Sequence, residues 1–233
     1  MPSFLTLLPA ADWAALLLFF AAWTGYAHWA RRRSLTQPSL LATTNRWRRE
    51  WMLQSTWRDN RIVDAAVTQS LSASPAFFAS TSILIIGALL AVLASTDRAT
   101  KLMLELPFAA RTTPLMFDFK VAVLVAIFVF AFFRFTWSLR QYSFGAILVG
   151  ATPDTKRLED DRTRQRLADR AGAVMGMAAE TFNDGLRAYY LSFAVLAWFV
   201  SPWAFMAATA AVVLVLYRRE FHSDVLGALR MDQ

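Results

Sequence analysis

The chain has 233 residues, of which 57% are hydrophobic and none is cysteine, and its formal net charge at pH 7 is +7. The apolar share exceeds the ~45–50% of soluble domains and indicates a membrane protein. The missing cysteines exclude disulfides, thiolate metal sites and a cysteine nucleophile. The basic residues cluster between apolar runs without a nucleic-acid recognition motif, so we expect contacts with anionic lipid headgroups and none with nucleic acid.

The first apolar run, residues 13–29, follows a tail without lysine or arginine and ends at the triple arginine of residues 31–33. At about 1.5 Å per residue such a helix just crosses a hydrocarbon core of about 30 Å. A signal peptide would carry its basic residues ahead of the apolar run. We therefore expect an uncleaved anchor with its N-terminus outside.

Residues 34–75 are predicted to be a cytoplasmic connecting segment. Within it, residues 45–71 have the composition of one amphipathic helix, with Trp47 and Trp51 a turn apart among several arginines. Such a helix lies in the headgroup plane or extends the next span. A face that docks a partner is the alternative for the same residues.

Residues 76–94 are predicted to be the second span. Its small residues Ser80, Ser82, Gly87 and Ala91 permit close helix approach within a bundle or between subunits. We therefore expect a homo-oligomer.

The third predicted span is centred on residues 121–133, which carry no polar side chain. Asp118 and Lys120 bracket one end, and Arg134 at the other end either snorkels to the headgroups or faces inward. In the outer loop before this span, a short interfacial helix is expected through residues 102–106.

A second cytoplasmic connecting segment is predicted over residues 139–176, with a solvated helix that starts at Pro153 and runs to residue 170. The apolar run that follows, residues 191–217, is long for one crossing. A hairpin that turns at Ser201-Pro202 would place neighbouring aromatic residues at the outer interface. This gives a fourth span over residues 178–200 and five spans in all; with Pro202 as a simple kink there would be four.

The distribution of basic residues supports five spans. The cytoplasmic side of this scheme, residues 31–75, 139–189 and 218–233, holds 19 lysines and arginines, whereas the outer loop, residues 96–120, holds 4. By the positive-inside rule the N-terminus is outside and the C-terminus cytoplasmic. The expected fold is an all-α, multi-pass protein of the bacterial inner membrane, with residues 1–233 forming a single membrane domain.

No phosphate-binding glycine loop, zinc-type spacing or nucleophile elbow occurs in the sequence. His28 and His222 could in principle ligate haem, but both are expected near water at the ends of spans. We therefore predict no catalytic residue, no metal site and no cofactor.

Polar residues in and beside the spans are expected to form a network, because charges at membrane depth must be paired. Such a network either fixes helix register or lines a wet vestibule that selects ions. Its predicted members are Arg61, Asp64, Arg134, Glu180, Asn183, Asp184, Arg187 and Tyr190.

Four strings resemble the membrane proteins of the domain of unknown function numbered 599. These strings are Arg58-Asp59-Asn60-Arg61-Ile62-Val63-Asp64, residues 77–84 (FFASTSIL), residues 182–190 (FNDGLRAYY) and residues 216–221 (LYRREF). The resemblance covers nearly all of the chain beyond the first span. It implies an integral membrane protein and supplies no activity or site residues.

The leading functional expectation is a non-enzymatic, uncharacterised inner-membrane component that oligomerises or associates with membrane lipids and other membrane proteins. The alternative is a small channel or transporter lined by Glu180, Asn183, Asp184 and Arg187. An integral membrane enzyme is the third hypothesis, since the acids and tyrosines permit acid–base chemistry.

Overall fold

Long apolar runs fold as helices in this protein, and a computed structural model describes residues 8–96, 113–158 and 160–230. These residues are almost all helical and include no strand, which confirms the all-α prediction. The helices are α1 (Ala10–Arg33), α2 (Leu40–Ser55), α3 (Ile62–Ala94), α4 (Pro114–Gly150), a 3-10 helix (Thr155–Arg157), α5 (Asp161–Trp198), α6 (Pro202–Phe221) and α7 (Asp224–Leu229). The expected helix at residues 102–106 lies outside the described residues.

Three of these helices, α1, α3 and α4, are long and apolar enough to cross a membrane. Both α3, with 33 residues, and α4, with 37, exceed the length that a hydrocarbon core of about 30 Å requires. The predicted spans are therefore the apolar parts of longer helices.

The predicted single helix over residues 45–71 is wrong. The chain leaves α2 after Ser55, where the hydroxyls of Ser55 and Thr56 donate to the carbonyls of Met52 and Leu53, each at 2.7 Å. It re-enters a helix at Ile62, whose N–H donates to the Asn60 side chain at 3.0 Å. Side chains that bond nearby backbone groups compete with a continuing helix, and they end it here.

The predicted helix start at Pro153 is also wrong. Lys156 and Arg157 lie in the 3-10 helix, so they do not share a helix with the acids that follow them. The helix α5 begins at Asp161, and the Asp160 carboxylate accepts from the N–H groups of Arg162 and Thr163, each at 3.1 Å. From this cap, 38 residues run without a break, so the predicted helix at 153–170 and the predicted fourth span join into one.

The predicted turn at Ser201-Pro202 is confirmed. The helix α5 ends at Trp198 and α6 begins at Pro202, with the Ser201 hydroxyl accepting from the Ala204 N–H at 3.0 Å. The rings of Trp198 and Phe205 stack with their centroids 5.0 Å apart. Proline at the first helical position and serine before it are both typical of a helix start.

The described residues form two compact units, and parts of α3, α4, α5 and α6 belong to each. Unit 1 draws on Met1–Arg33, Thr81–Ala131 and Leu186–Arg218. Unit 2 draws on Ser34–Ser80, Phe132–Gly185 and Arg219–Gln233. That the chain forms a single membrane domain stays a prediction.

The two units have different cores. Unit 1 buries aromatic rings: Phe19, Trp198 and Phe205 are fully buried, and the Phe19 and Phe205 centroids lie 5.1 Å apart. Unit 2 packs small and flexible side chains of α2, α4 and α5, among them Met52, Met175, Tyr142, Ala168, Ala171 and Ala178.

Candidate functional site

The predicted acid Asp64 is fully buried at the start of α3 in unit 2. Its Oδ1 accepts from the Arg58 guanidinium at 2.6 Å and from the Trp51 indole N–H at 2.7 Å. Its Oδ2 is buried without a hydrogen-bond partner among the described residues. An acid in the first turn of a helix is also favoured by the helix dipole. Asp64 therefore ties the end of α2 to the start of α3.

Two arginines of unit 2 bind backbone carbonyls of the connecting segments. Arg61 donates to the Thr152 carbonyl at 2.5 Å and to the Pro153 carbonyl at 2.6 Å. Arg164 is buried, donates to the Thr56 carbonyl at 2.6 Å and stacks on the Trp57 ring at 3.8 Å. A planar guanidinium with several donors can satisfy several carbonyls at once. These contacts hold the segments after α2 and α4.

Arg134 and Asp184 form a salt bridge between α4 and α5 within unit 2. The Asp184 side chain is mostly buried and that of Arg134 is 31% exposed. Beside them, the ring of Phe135 packs against Phe78 and Phe182 at centroid distances of 5.3 and 5.6 Å. Arg134 therefore faces inward as a partner of an acid.

The remaining predicted network residues are divided between the two units. Glu180 is exposed and accepts from the Asn45 side chain at 3.2 Å in unit 2. Arg187, in unit 1, is buried with its guanidinium 5.8 Å from the centre of the Tyr26 ring. Asn183 and Tyr190 are half-buried. The structure thus joins Arg134 with Asp184, while Arg61 and Asp64 bond other partners.

A second polar cluster surrounds Arg48 on α2. Arg48 donates to the Asn45 side-chain oxygen at 2.8 Å and to the Thr44 hydroxyl at 3.1 Å. Burial lowers the pKa of Arg48 from its ordinary value, and interactions with Tyr142 and Glu180 partly oppose this effect.

A buried ion pair in unit 1 was missed by the sequence prediction, which placed Lys120 merely at a span end. Lys120 and Asp12 are buried with their Nζ and Oδ1 atoms 3.9 Å apart. Lys120 also donates to the Trp198 carbonyl at 2.8 Å, and the Trp198 indole N–H donates to Asp12 at 2.6 Å. The Lys120 Nζ lies 5.2 Å from the centre of the Trp198 ring, within cation–π range.

The sequence does contain a signal for this pair, because an acid and a base occupy equivalent positions before two apolar runs. Asp12 directly precedes the first apolar run, and Lys120 directly precedes the third. In the predicted topology both runs begin at the outer surface, so the acid and the base would lie at the same depth. Local spacing rules do not relate residues this far apart in sequence.

Groups of three or more His, Cys, Asp or Glu side chains that could hold a metal ion are not found in the part of the chain that the structure describes. His28 and His222 are both exposed.

These features define a class: an all-α protein with three helices suited to a membrane and with buried charges held in pairs. The chain belongs to the family described as "Protein of unknown function, DUF599", whose model matches residues 14–225. No curated protein matches the chain, and no solved structure does.

Proposed function

We propose that this protein is a non-enzymatic, five-span protein of the bacterial inner membrane that acts by associating with a second copy of itself. The observation that carries the proposal is the exposure of α3. Only 11% of its most apolar window is buried, against 39% for α4, although both windows have a mean hydropathy of 2.4. An apolar helix left so uncovered faces lipid or another protein.

The exposed residues of α3 include the small residues that favour helix contact. Gly87 and Ala91 lie one turn apart on α3, and both are exposed. Ile83 and Leu84, 55% and 74% exposed, supply apolar area beside them. Because lipid tails are as apolar as leucine, helix association in a membrane relies on close packing, which small residues allow. Ser82 differs, since it is buried and bonds the Tyr189 hydroxyl at 2.8 Å.

The paired charges support a structural role over transport. Arg134 with Asp184, and Lys120 with Asp12, neutralise one another inside their own units. An ion pathway would instead need charged groups available to a passing ion.

The substitution Gly87→Phe tests the proposal, because an added Cβ at Gly87 meets no atom within 4 Å and the fold should tolerate the new side chain. At the subunit contact, however, the ring would hold two α3 helices apart. We expect the protein concentration at which half of the chains are dimeric to rise about ten-fold, or ~1.4 kcal/mol, as measured by native mass spectrometry from mild detergent.

Gly25→Phe on α1 is the matched control, because a Cβ added at Gly25 also meets no atom within 4 Å. The control should leave that concentration unchanged. A wild-type protein that stays monomeric across the whole concentration range would overturn the proposal.

A further inference from the structure

An apolar groove of about 650 Å³ lies between α1 and α6 in unit 1. This volume is within the ~300–1,000 Å³ typical of small-molecule sites. Apart from Thr209, Tyr26 and Tyr217, its lining side chains are hydrocarbon, indole or glycine, with Ala21, Ala22 and Gly25 forming the floor on α1. Small residues on one helix thus leave room that an elongated apolar group can fill.

The length of the groove corresponds to one leaflet. Its lining on α1 extends from Leu18 to Trp29. At 1.5 Å per residue this is about 17 Å, roughly half of a hydrocarbon core of about 30 Å. The groove therefore has the reach of an acyl chain that starts at one interface.

Aromatic and basic residues mark that interface. The rings of Trp29 and Tyr217 lie 5.8 Å apart at one end of the groove, in the manner of an interfacial aromatic belt. Beyond them along the chain come Arg32 and Arg218, both exposed. The Arg33 guanidinium stacks 5.1 Å from the Trp29 ring. Positive charge is thus concentrated at one end of an otherwise uncharged groove.

We propose that this groove binds an anionic phospholipid of the cytoplasmic leaflet, with an acyl chain between α1 and α6 and the phosphate near Arg32 and Arg218. Basic pockets between membrane helices on this side recognise such headgroups. The charge complementarity selects an anionic lipid over a zwitterionic one. A second copy of the chain would cover the groove but would leave these arginines without an anion.

The experiment is a titration of the full chain in mild detergent with dioleoyl phosphatidylglycerol or dioleoyl phosphatidylcholine, with bound lipids counted by native mass spectrometry. We expect at least about five-fold tighter binding of phosphatidylglycerol, the effect of roughly one arginine near the headgroup. Removing both arginines in Arg32→Gln/Arg218→Gln should abolish that preference.

The groove itself is tested by Gly25→Phe, whose side chain enters the groove through open space. This variant should lose at least about five-fold in affinity for phosphatidylglycerol, while Gly87→Phe on α3 should bind as the wild type does. Circular dichroism and thermal melting verify that both variants fold.

Four results would overturn the lipid site. Equal binding of the two lipids would remove the headgroup specificity. Unchanged phosphatidylglycerol binding by Gly25→Phe would place the lipid elsewhere, and glycerol phosphate competing as well as the whole lipid would indicate a site for a soluble anion. If Gly25→Phe instead dissociates an oligomer seen in the same spectra, the occupant is a second copy. The oligomer signal of Gly87→Phe reports separately on the proposed association through α3.

Discussion

At the scale of single residues, Lys120 shows how an ammonium group is accommodated in an apolar core. Its Nζ donates to a backbone carbonyl and lies near the Asp12 carboxylate, beside the Trp198 ring. Burying a charge without such partners costs several kcal/mol. The buried ammonium group is therefore stabilised by a carboxylate, a carbonyl and an aromatic face together.

We predict that Lys120→Met destabilises the protein by about 3–5 kcal/mol, the usual cost of breaking a buried ion pair from one side. Methionine has a similar length, so the loss comes mainly from the Asp12 carboxylate left without its cation. The measurement is thermal or denaturant unfolding in detergent.

Adding Asp12→Asn to Lys120→Met should recover at least half of that loss, because asparagine is neutral and its oxygen can still accept from the Trp198 indole. If the stability loss of the double variant equals the sum of the losses of Lys120→Met and Asp12→Asn alone, the two charges are not energetically coupled.

The salt bridge between Arg134 and Asp184 is more accessible to solvent, so its expected contribution is smaller. We predict that Arg134→Leu costs about 1–3 kcal/mol, the range for a buried acceptor that loses its donor. Asp184→Asn in the same chain should restore part of the stability. Ion flux into proteoliposomes tests the competing channel hypothesis. If Arg134→Leu changes the flux while leaving the stability unchanged, a channel would be favoured.

At the scale of the helices, glycines set how closely α5 approaches α2 in unit 2. A Cβ added to Gly172 would lie 2.9 Å from the Arg49 Cα, and backbone cannot move aside as a flexible side chain can. Near Gly176, the side chain of Asn45 lies 3.3 Å from the corresponding position. The polar cluster around Arg48 on α2 thus depends on small residues one turn apart on α5.

We predict that Gly172→Ala destabilises the protein by about 1–3 kcal/mol, as overpacking of a close contact does. Gly150→Ala is the matched control, since nothing lies within 4 Å of its added Cβ, and it should be neutral or stabilise by up to about 1 kcal/mol. Unfolding of both variants under one condition provides the measurement. If Gly172→Ala and Gly150→Ala are equally stable, α5 can move away from α2 at no cost in stability.

The helices themselves were predictable from sequence, whereas their ends and partners were not. The turn before Pro202 was predicted because the apolar run is long for one crossing and proline is a local signal of a helix start. The break between Ser55 and Ile62 was missed because hydroxyl and amide side chains end α2 in a stretch whose tryptophan and arginine content suits a helix. The partner of Asp184 was missed for a different reason. Arg134 is 50 residues away, whereas local spacing favours Arg187, an i,i+3 neighbour within α5, as the partner.

At the scale of the whole molecule, the distribution of lysine and arginine predicts that the turn after α5 is outside and that the segment after α1 is cytoplasmic. The sequence contains no cysteine, so single cysteines can report on each side without background. Val200, 48% exposed in the turn, and Leu35, 85% exposed after α1, are suitable positions. In intact cells, a membrane-impermeant maleimide should label Val200→Cys and label Leu35→Cys only after lysis. If Val200→Cys is also protected until lysis, α5 and α6 do not cross the membrane as a hairpin, and the five-span topology is wrong.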